Sequence, residues 1–394
     1  MNHSRKIAAW LTIIAILFSF ASCSMRETYD TDQNTVLEDS DDAPELTIAE
    51  KKNTVGVDDG TNEVVPALPV SVTEETEEVT LVITGDIKLT ESMINDARAQ
   101  ATEGKEYSFL RMYTGVYRSV NDADIAVGGY SAIGKPYGTE SEYEPPEEHL
   151  DALASVGFDV LDISGMGSDY TLLNERGIEG VSSAEDGDDA IRLIEKNDIK
   201  FAFISAGFGE NVAQSCTDND FLSRLEYADF LSDVLVVLVH WDEKMTDAEK
   251  TDVAKSLADH GAAIVVGDGE SIEEIETISA ENGTLTIVAY SIGNLVSDAS
   301  EACDLCSGML TVKFTRAGKT SAASSLTFAD TLIVPAFVHY TKKDDGTKGD
   351  YSLYRVEDYT NELAQAHAAE VDVDGLRGYV KNIVASGYLS EYFK

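Results

Sequence analysis

The sequence predicts an α/β body with largely parallel strands, carried behind an export signal and an acidic tether. Three observations predict it. Short apolar runs recur along the chain from Val79, helix-like stretches lie between several of them, and residues 24–78 carry neither pattern.

The N-terminus reads as an address. Arg5 and Lys6 form a short positive region, and the apolar run 7–20 has the length of a signal-peptide core rather than of a membrane span. It ends in Phe20-Ala21-Ser22-Cys23. Small residues directly before a cysteine resemble the cleavage box of bacterial lipoproteins, with Phe20 in place of the usual leucine. On that reading residues 1–22 are removed, Cys23 is lipidated, and the mature chain is held outside the cytoplasmic membrane by its acyl chains. The alternative is an ordinary secretory signal beside a chance cysteine. Residues 23–78 follow as an acidic tether: the basic residues are Arg26, Lys51 and Lys52, no aromatic follows Tyr29, and Glu38-Asp39-Ser40-Asp41-Asp42 is a run of charge. Such a segment cannot bury enough apolar area to offset its ordering entropy.

The body begins at Val79. Strands are expected at 80–86, 124–127, 158–163, 200–204, 234–240, 262–266 and 285–290, and helices at 147–156, 188–196 and 247–260. The runs 309–314 and 325–334 have no helix between them and predict an antiparallel edge; from Leu363 onward the pattern is helical, so 339–394 is expected to be a helical extension packed on the body. Ligand sites in such folds lie at the carboxyl ends of the strands. The strand ends are Asp86, Gly129-Tyr130-Ser131, Gly165-Met166-Gly167, His240-Trp241-Asp242, Gly267-Asp268-Gly269-Glu270 and Ser291-Ile292-Gly293-Asn294.

Composition narrows the function classes. The chain has 394 residues, 29 Lys plus Arg against 72 Asp plus Glu, and a net charge of −43. Nucleic-acid binding needs clustered cations and is excluded as the expectation, as is electrostatic docking on an anionic membrane. No nucleophile elbow, phosphate loop, zincin motif or internal repeat is present.

The strand ends, taken in order, resemble those of the CapA-type poly-γ-glutamate capsule synthesis family over residues 79–338. The resemblance is carried by Thr84-Gly85-Asp86, Val156-Gly157-Phe158-Asp159-Val160, Val237-Leu238-Val239-His240-Trp241, the segment 260–267, and Ala289-Tyr290-Ser291-Ile292-Gly293-Asn294. It implies a calcineurin-like metallophosphatase sandwich, two stacked mixed β-sheets flanked by helices. It also implies capsule-assembly membrane proteins and an extracellular polymer as partners. The departures from the family pattern fall on its metal ligands. Gly128-Gly129-Tyr130 stands where the family carries Asn-Leu-Glu, Ser164-Gly165-Met166-Gly167 where it carries Ala-Asn-Asn-His, and 267–271 where it carries Gly-His-His-Pro-His. Gly and Met cannot replace an oxygen or imidazole ligand for Mn, Fe or Zn.

Only Asp86 and His240 match ligand positions, and each has a second reading, Asp86 as a turn brace or helix cap and His240 as a satisfied buried imidazole. Asp268 and Glu270 are candidates for a hard Ca²⁺ or Mg²⁺ site beside Asp86, and Asn294 is expected to hold its loop by side-chain to backbone bonds. No cofactor is expected, with a divalent metal as the alternative. Cys303-Asp304-Leu305-Cys306 is expected as a local disulfide, with free thiols or a redox or metal pair as alternatives and Cys216 left unpaired or joined to one of them. The expected function is a non-catalytic envelope lipoprotein that assists assembly or retention of a surface polymer. The competing expectation is a metal-dependent hydrolase of a capsule or wall polymer.

Overall fold

The computed structural model describes residues 76–131, 145–166, 169–185, 187–208, 215–317 and 325–393. All of them lie in one compact unit, Val70–Lys394. Cys23, the signal segment and the tether up to residue 75 lie outside the described residues.

The first half of the body runs β1 (Thr76–Lys88), α1 (Glu91–Ala99), α2 (Tyr117–Asn121), β2 (Ile125–Ser131), α3 (Glu147–Val156), β3 (Val160–Asp162), α4 (Thr171–Asn174) and β4 (Glu179–Val181). The middle runs β5 (Arg192–Lys196), β6 (Ile199–Gly207), α5 (Asn219–Leu231), β7 (Val234–His240), α6 (Asp247–Asp259), β8 (Ile264–Gly267), β9 (Ile275–Ser279) and β10 (Leu285–Ala289). Last come β11 (Cys306–Ala317), β12 (Ser325–Lys342), β13 (Lys348–Arg355), α7 (Asn361–Ala366) and α8 (Val373–Ile383).

These strands form two mixed sheets. One has seven strands in the order β13-β12-β11-β1-β2-β3-β4, and the other six in the order β5-β6-β7-β8-β10-β9. In the first, β1 to β4 pair in parallel while β11, β12 and β13 add antiparallel beyond β1. In the second, β6, β7, β8 and β10 are parallel, with antiparallel β5 and β9 at the edges. The parallel centres read as continuous apolar runs because both faces are covered; all of Val234–His240 is buried.

Alternation along β6 shows the layers. Phe201 and Phe203 enter the core shared with Leu81, Ile83, Val127, Leu161 and Phe314 of the seven-stranded sheet. Ala202 and Ile204 point the other way, toward Phe221 and Leu225 of α5 and Leu257 of α6. Phe201 meets Phe314 edge-on across the sheets at 5.2 Å between centroids, and each such buried ring contributes about 1.5–3 kcal/mol. Local signals end the helices that set the strand spacing. Gly157 leaves α3 at φ 108, a left-handed stop that only glycine takes without strain, and Thr246 with Glu249 forms a capping box on α6.

Two expectations are corrected here. The stretch 188–196 is not a helix: Asp188–Ala190 is one 3₁₀ turn, and β5 then pairs with β6 through Asn197 and Asp198 at φ 50 and 58. Two consecutive left-handed Asn and Asp residues are the signature of a tight hairpin, which outweighs the weak helical pattern. The segment 339–394 is not helical at its start either. The expected boundary at 338 falls inside β12, and β13 completes the sheet, with buried Tyr351 and Leu353 alternating with half-buried Asp350, Ser352 and Tyr354. A period of two marks a strand. The body also starts slightly early, at Thr76, because Glu77 and Glu78 pair with Arg316 and Thr315 of β11. Among the described residues, no helix is long and apolar enough to cross a membrane.

Candidate functional site

The carboxyl ends of β1, β2, β3, β7 and β8 converge on a cavity of about 30 Å³, lined among others by Asp86, Gly129, Asp162, His240, Gly267 and Asp268. That volume is room for about two water molecules. Parallel pairing brings these ends together, and each side chain is placed by the strand that carries it.

His240 ends β7 and is 7% exposed. Its Nε2 donates to Asp162 Oδ2 at 2.8 Å and its Nδ1 to Asp268 Oδ2 at 3.0 Å. Ionised carboxylates only accept, so both ring nitrogens carry protons and the ring is an imidazolium. Burial alone would push its pKa down. Asp162 and Asp268, by charge and by hydrogen bond, win and hold it well above the ordinary histidine value.

Asp162 sits at the end of β3 and is 3% exposed. Besides His240 it accepts from Ser205 Oγ at 2.7 Å, from Ser164 N at 2.9 Å and from Ser164 Oγ. Burial raises its pKa, but the His240 charge and these hydrogen bonds outweigh that and hold it below the usual carboxylate range. Asp268 is fixed from its other oxygen by Trp241 N at 2.9 Å, and its own N–H donates to Val239 O at 2.9 Å.

Asp86 lies against the backbone of β2: a Cβ on Gly129 would stand 1.9 Å from Asp86 Oδ1. Gly129 is therefore the space the Asp86 carboxylate fills. Burial first, then the Asp268 charge, push the Asp86 carboxyl up to about 6, against the opposing pull of His240 and Lys88. It does not cap the following helix, whose N-cap is Thr90.

Of the residues singled out from sequence, Asp86, His240 and Asp268 meet. Glu270 is exposed on the loop beyond Asp268 and does not line the cavity. Asn294 is buried but is likewise not among the lining residues, and its Oδ1 accepts no hydrogen bond. The side-chain to backbone bonds expected of Asn294 therefore do not run through Oδ1. The loop is held instead by backbone bonds, Val296 N to Asp86 O at 3.2 Å and Gly308 N to Ile292 O at 2.6 Å, and by Ser291 Oγ accepting from Gly293 N.

Tyr130 turns to the other face of β2, where its hydroxyl bonds His149 Nδ1 at 3.0 Å. Met166 is 36% exposed. Cys303 and Cys306 are free thiols, not a disulfide, and Cys216 is free as well. Cys303 opens a 3₁₀ turn at the surface while Cys306 begins β11 with its side chain in the core, so the two sulfurs sit in different surroundings.

Sequence reasoning missed Asp162, Ser164 and Ser205. Reading 158–163 as an apolar run passes over Asp162. An acid inside a buried strand is itself a signal, since a buried charge must be paired.

These residues do not fit a two-metal centre. Each ion of such a centre needs several ligands and an open position for water. Here the imidazole has no lone pair left to give, because both nitrogens donate to carboxylates. Asp86 adds one further carboxylate, the other strand ends supply Gly129 and Gly267, and among the described residues no group of three or more His, Cys, Asp or Glu is arranged to hold a metal ion.

The fold and site define an α/β two-sheet sandwich with a closed polar cluster where its parallel strands end. The chain matches the family model of the bacterial capsule synthesis protein PGA_cap over residues 80–299, and it belongs to that family. Among solved structures there are distant likenesses. A hypothetical protein from Thermus thermophilus is 12% identical with a TM-score of 0.38, covering 70% of this chain and 98% of that one. The calcineurin-like phosphoesterase YfkN from Bacillus subtilis is also 12% identical with a TM-score of 0.38, covering 78% of this chain and 97% of that one. No curated protein matches the chain at a significant level.

Proposed function

We propose that this capsule-synthesis family member is a non-catalytic envelope lipoprotein, anchored through Cys23, that assists assembly or retention of a surface polymer such as poly-γ-glutamate. The observation that carries the non-catalytic part is the engagement of both His240 nitrogens by Asp162 and Asp268. An imidazolium in that position is the internal cation of the cluster and offsets the two acids. Family membership supports the capsule setting, and the export signal with its cysteine supports the anchor.

The competing reading is a metal-dependent hydrolase of a capsule or wall polymer. It would require His240 to give up one carboxylate and one proton. Elemental analysis of the mature chain after incubation with Mn²⁺, Fe²⁺ or Zn²⁺ separates the two, together with turnover of phosphodiester and γ-glutamyl substrates. The non-catalytic reading expects substoichiometric metal and no turnover that depends on His240. One or more ions per chain, with turnover lost in His240→Ala, would replace it by the hydrolase.

A further inference from the structure

A second buried histidine cluster lies away from this site, where the chain leaves the seven-stranded sheet for its last helices. His367 is the one buried residue between Thr360 and Asp372. Helix α7, just before it, contributes no buried residue at all. Half-buried Leu363, Ala364 and Val371 also rest on the core, so the His367 ring is the one buried hold among weaker apolar contacts.

That ring is fixed at both nitrogens. Nε2 donates to Val338 O at 3.2 Å, and Nδ1 accepts from the backbone N–H of Ala369 at 2.9 Å. Beside it, Ala368 N donates to Tyr340 O at 2.9 Å, which registers the segment on β12. An imidazole that accepts at Nδ1 and donates at Nε2 is neutral by geometry. Protonation at Nδ1 would set two donors, the new N–H and that of Ala369, against each other.

Among the described residues, no carboxylate bonds the His367 ring to serve an added proton as counter-ion. From β12, His339 meets the ring at 5.2 Å between centroids, Tyr340 at 4.5 Å and Phe337 at 5.6 Å. From β13, Lys348 faces it with a like charge, itself bonded to Asp298 at 2.7 Å. His339 in turn bonds the Tyr359 hydroxyl at 2.9 Å through Nδ1 and packs edge-on against Tyr354. Asp350 is the acid that acts on His339, and its attraction is outweighed. Burial keeps both rings below the ordinary histidine value, with His339 at about 4.

We propose that His367 is an acid-sensitive latch, closed while its ring is neutral and opened by protonation, which frees the 360–372 connection from β12 and uncovers the His339, Tyr340 and Phe337 face beneath it.

The sign follows from linkage. A histidine whose folded pKa is depressed stabilises the closed form fully above about pH 6.5, and that stabilisation is lost as the pH falls toward the folded value. For a freed ring of ordinary pKa, the ceiling on the shift at pH 5 is about thirtyfold in the opening equilibrium.

Hydrogen exchange of the mature full-length chain at pH 7.5 and pH 5.0, corrected for the intrinsic rate, tests this. Amides of 361–372 are expected to lose about five- to thirtyfold in protection at pH 5.0 relative to those of β7. In His367→Asn the side-chain oxygen can still accept from the N–H two residues on, as an Asx turn, but cannot protonate. The pH step is expected to vanish in that variant. A change of less than about twofold in the parent, or an unchanged step in His367→Asn, overturns the latch. Should the variant not fold, the His367 ring resonance in the parent decides: titration below pH 6 supports the latch, and titration at or above pH 6.5 overturns it.

Discussion

Replacing Asp162 by alanine tests whether the cluster at the strand ends is a closed ionic unit. Asp162 is 3% exposed and accepts from His240 Nε2, Ser205 Oγ, Ser164 N and Ser164 Oγ. The alanine variant leaves a buried imidazolium with one carboxylate instead of two and takes an acceptor from Ser164 and Ser205, whose hydroxyls keep their bond to each other at 2.9 Å. Removing one partner of a buried pair costs about 3–5 kcal/mol, because the other charge remains without its counter-ion. We expect Asp162→Ala to lower the unfolding free energy of the mature chain by about that amount in urea titrations at pH 7. Asp162→Asn, which keeps an acceptor but no charge, should lose about half as much.

Two linkages set the pH window. The depressed Asp162 pKa contributes stability present above about pH 3.9 and lost as the pH falls through its lower folded value. The raised His240 pKa contributes stability present below about pH 6.5 and lost only as the pH rises through its higher folded value. The gap between parent and variant is therefore widest from about pH 4 up past pH 6.5 and shrinks toward pH 3. In a double-mutant cycle, Asp162→Ala with His240→Leu should cost clearly less than the sum of the single changes, since the lone buried charge is gone. A loss below about 1 kcal/mol for Asp162→Ala at pH 7, or additivity within about 0.5 kcal/mol, would refute the closed unit.

Asp86 should behave in the opposite sense. Its carboxyl is pushed up to about 6, so its ionisation weakens the fold as the pH rises from about 4 to 6, and Asp86→Asn should stabilise the chain by about 1–2 kcal/mol at pH 8, after discounting its partial exposure, and by almost nothing at pH 4. Equal effects at both pH values in denaturant titrations would contradict that. At the N-terminus, Cys23→Ala should release the protein from the membrane fraction or leave it with an uncut signal; correctly processed protein that stays membrane-bound would remove the anchor from the proposal. Deleting 24–69 should leave the melting temperature within a few degrees of the mature chain, because the compact unit starts at Val70; a large drop in a thermal scan would show that the tether packs on the body.

The sheet centres are legible in the sequence because burial on both faces leaves a plain apolar run, as in Val234–His240, and α3 and α6 are legible because their ends carry recognisable stops and caps. The hairpin at Asn197-Asp198 is legible only to a reading that gives turn chemistry more weight than a weak helical period. The end of β12 escapes such a reading because 339–342 follows the expected boundary with polar and aromatic residues rather than an apolar run. At the site, the sequence marks Asp86 and His240 through their strand-end positions and marks the losses as Gly128, Gly129 and Met166. It does not reveal what fills the place of the lost ligands, since Asp162 is brought from β3 to His240 and Ser205 only when the two sheets stack. Linear spacing carries no record of which sheet a strand joins.

That stacking gives the cluster a structural role independent of any reaction. Asp162 belongs to the seven-stranded sheet, while His240 and Ser205 belong to the six-stranded one and Asp268 follows its strand β8, so the Asp162–His240 bond and the Ser205–Asp162 bond cross between layers. Elsewhere the sheets meet through apolar side chains such as Phe201 and Phe314, whose packing is strong but weakly directional. A buried ion pair with hydrogen bonds on both carboxylate oxygens contributes little net stability against an apolar replacement, yet it has one geometry only. A fully apolar triple variant, Asp162→Val with His240→Phe and Ser205→Ala, should therefore remain within about 2 kcal/mol of the parent while losing definition of the strand ends. The expected signature is a preserved urea midpoint with faster hydrogen exchange in β3 and in 240–243 than in the centre of β7. Unchanged exchange in the triple variant would mean that apolar packing alone sets how the sheets align, and the polar cluster would then have no structural task.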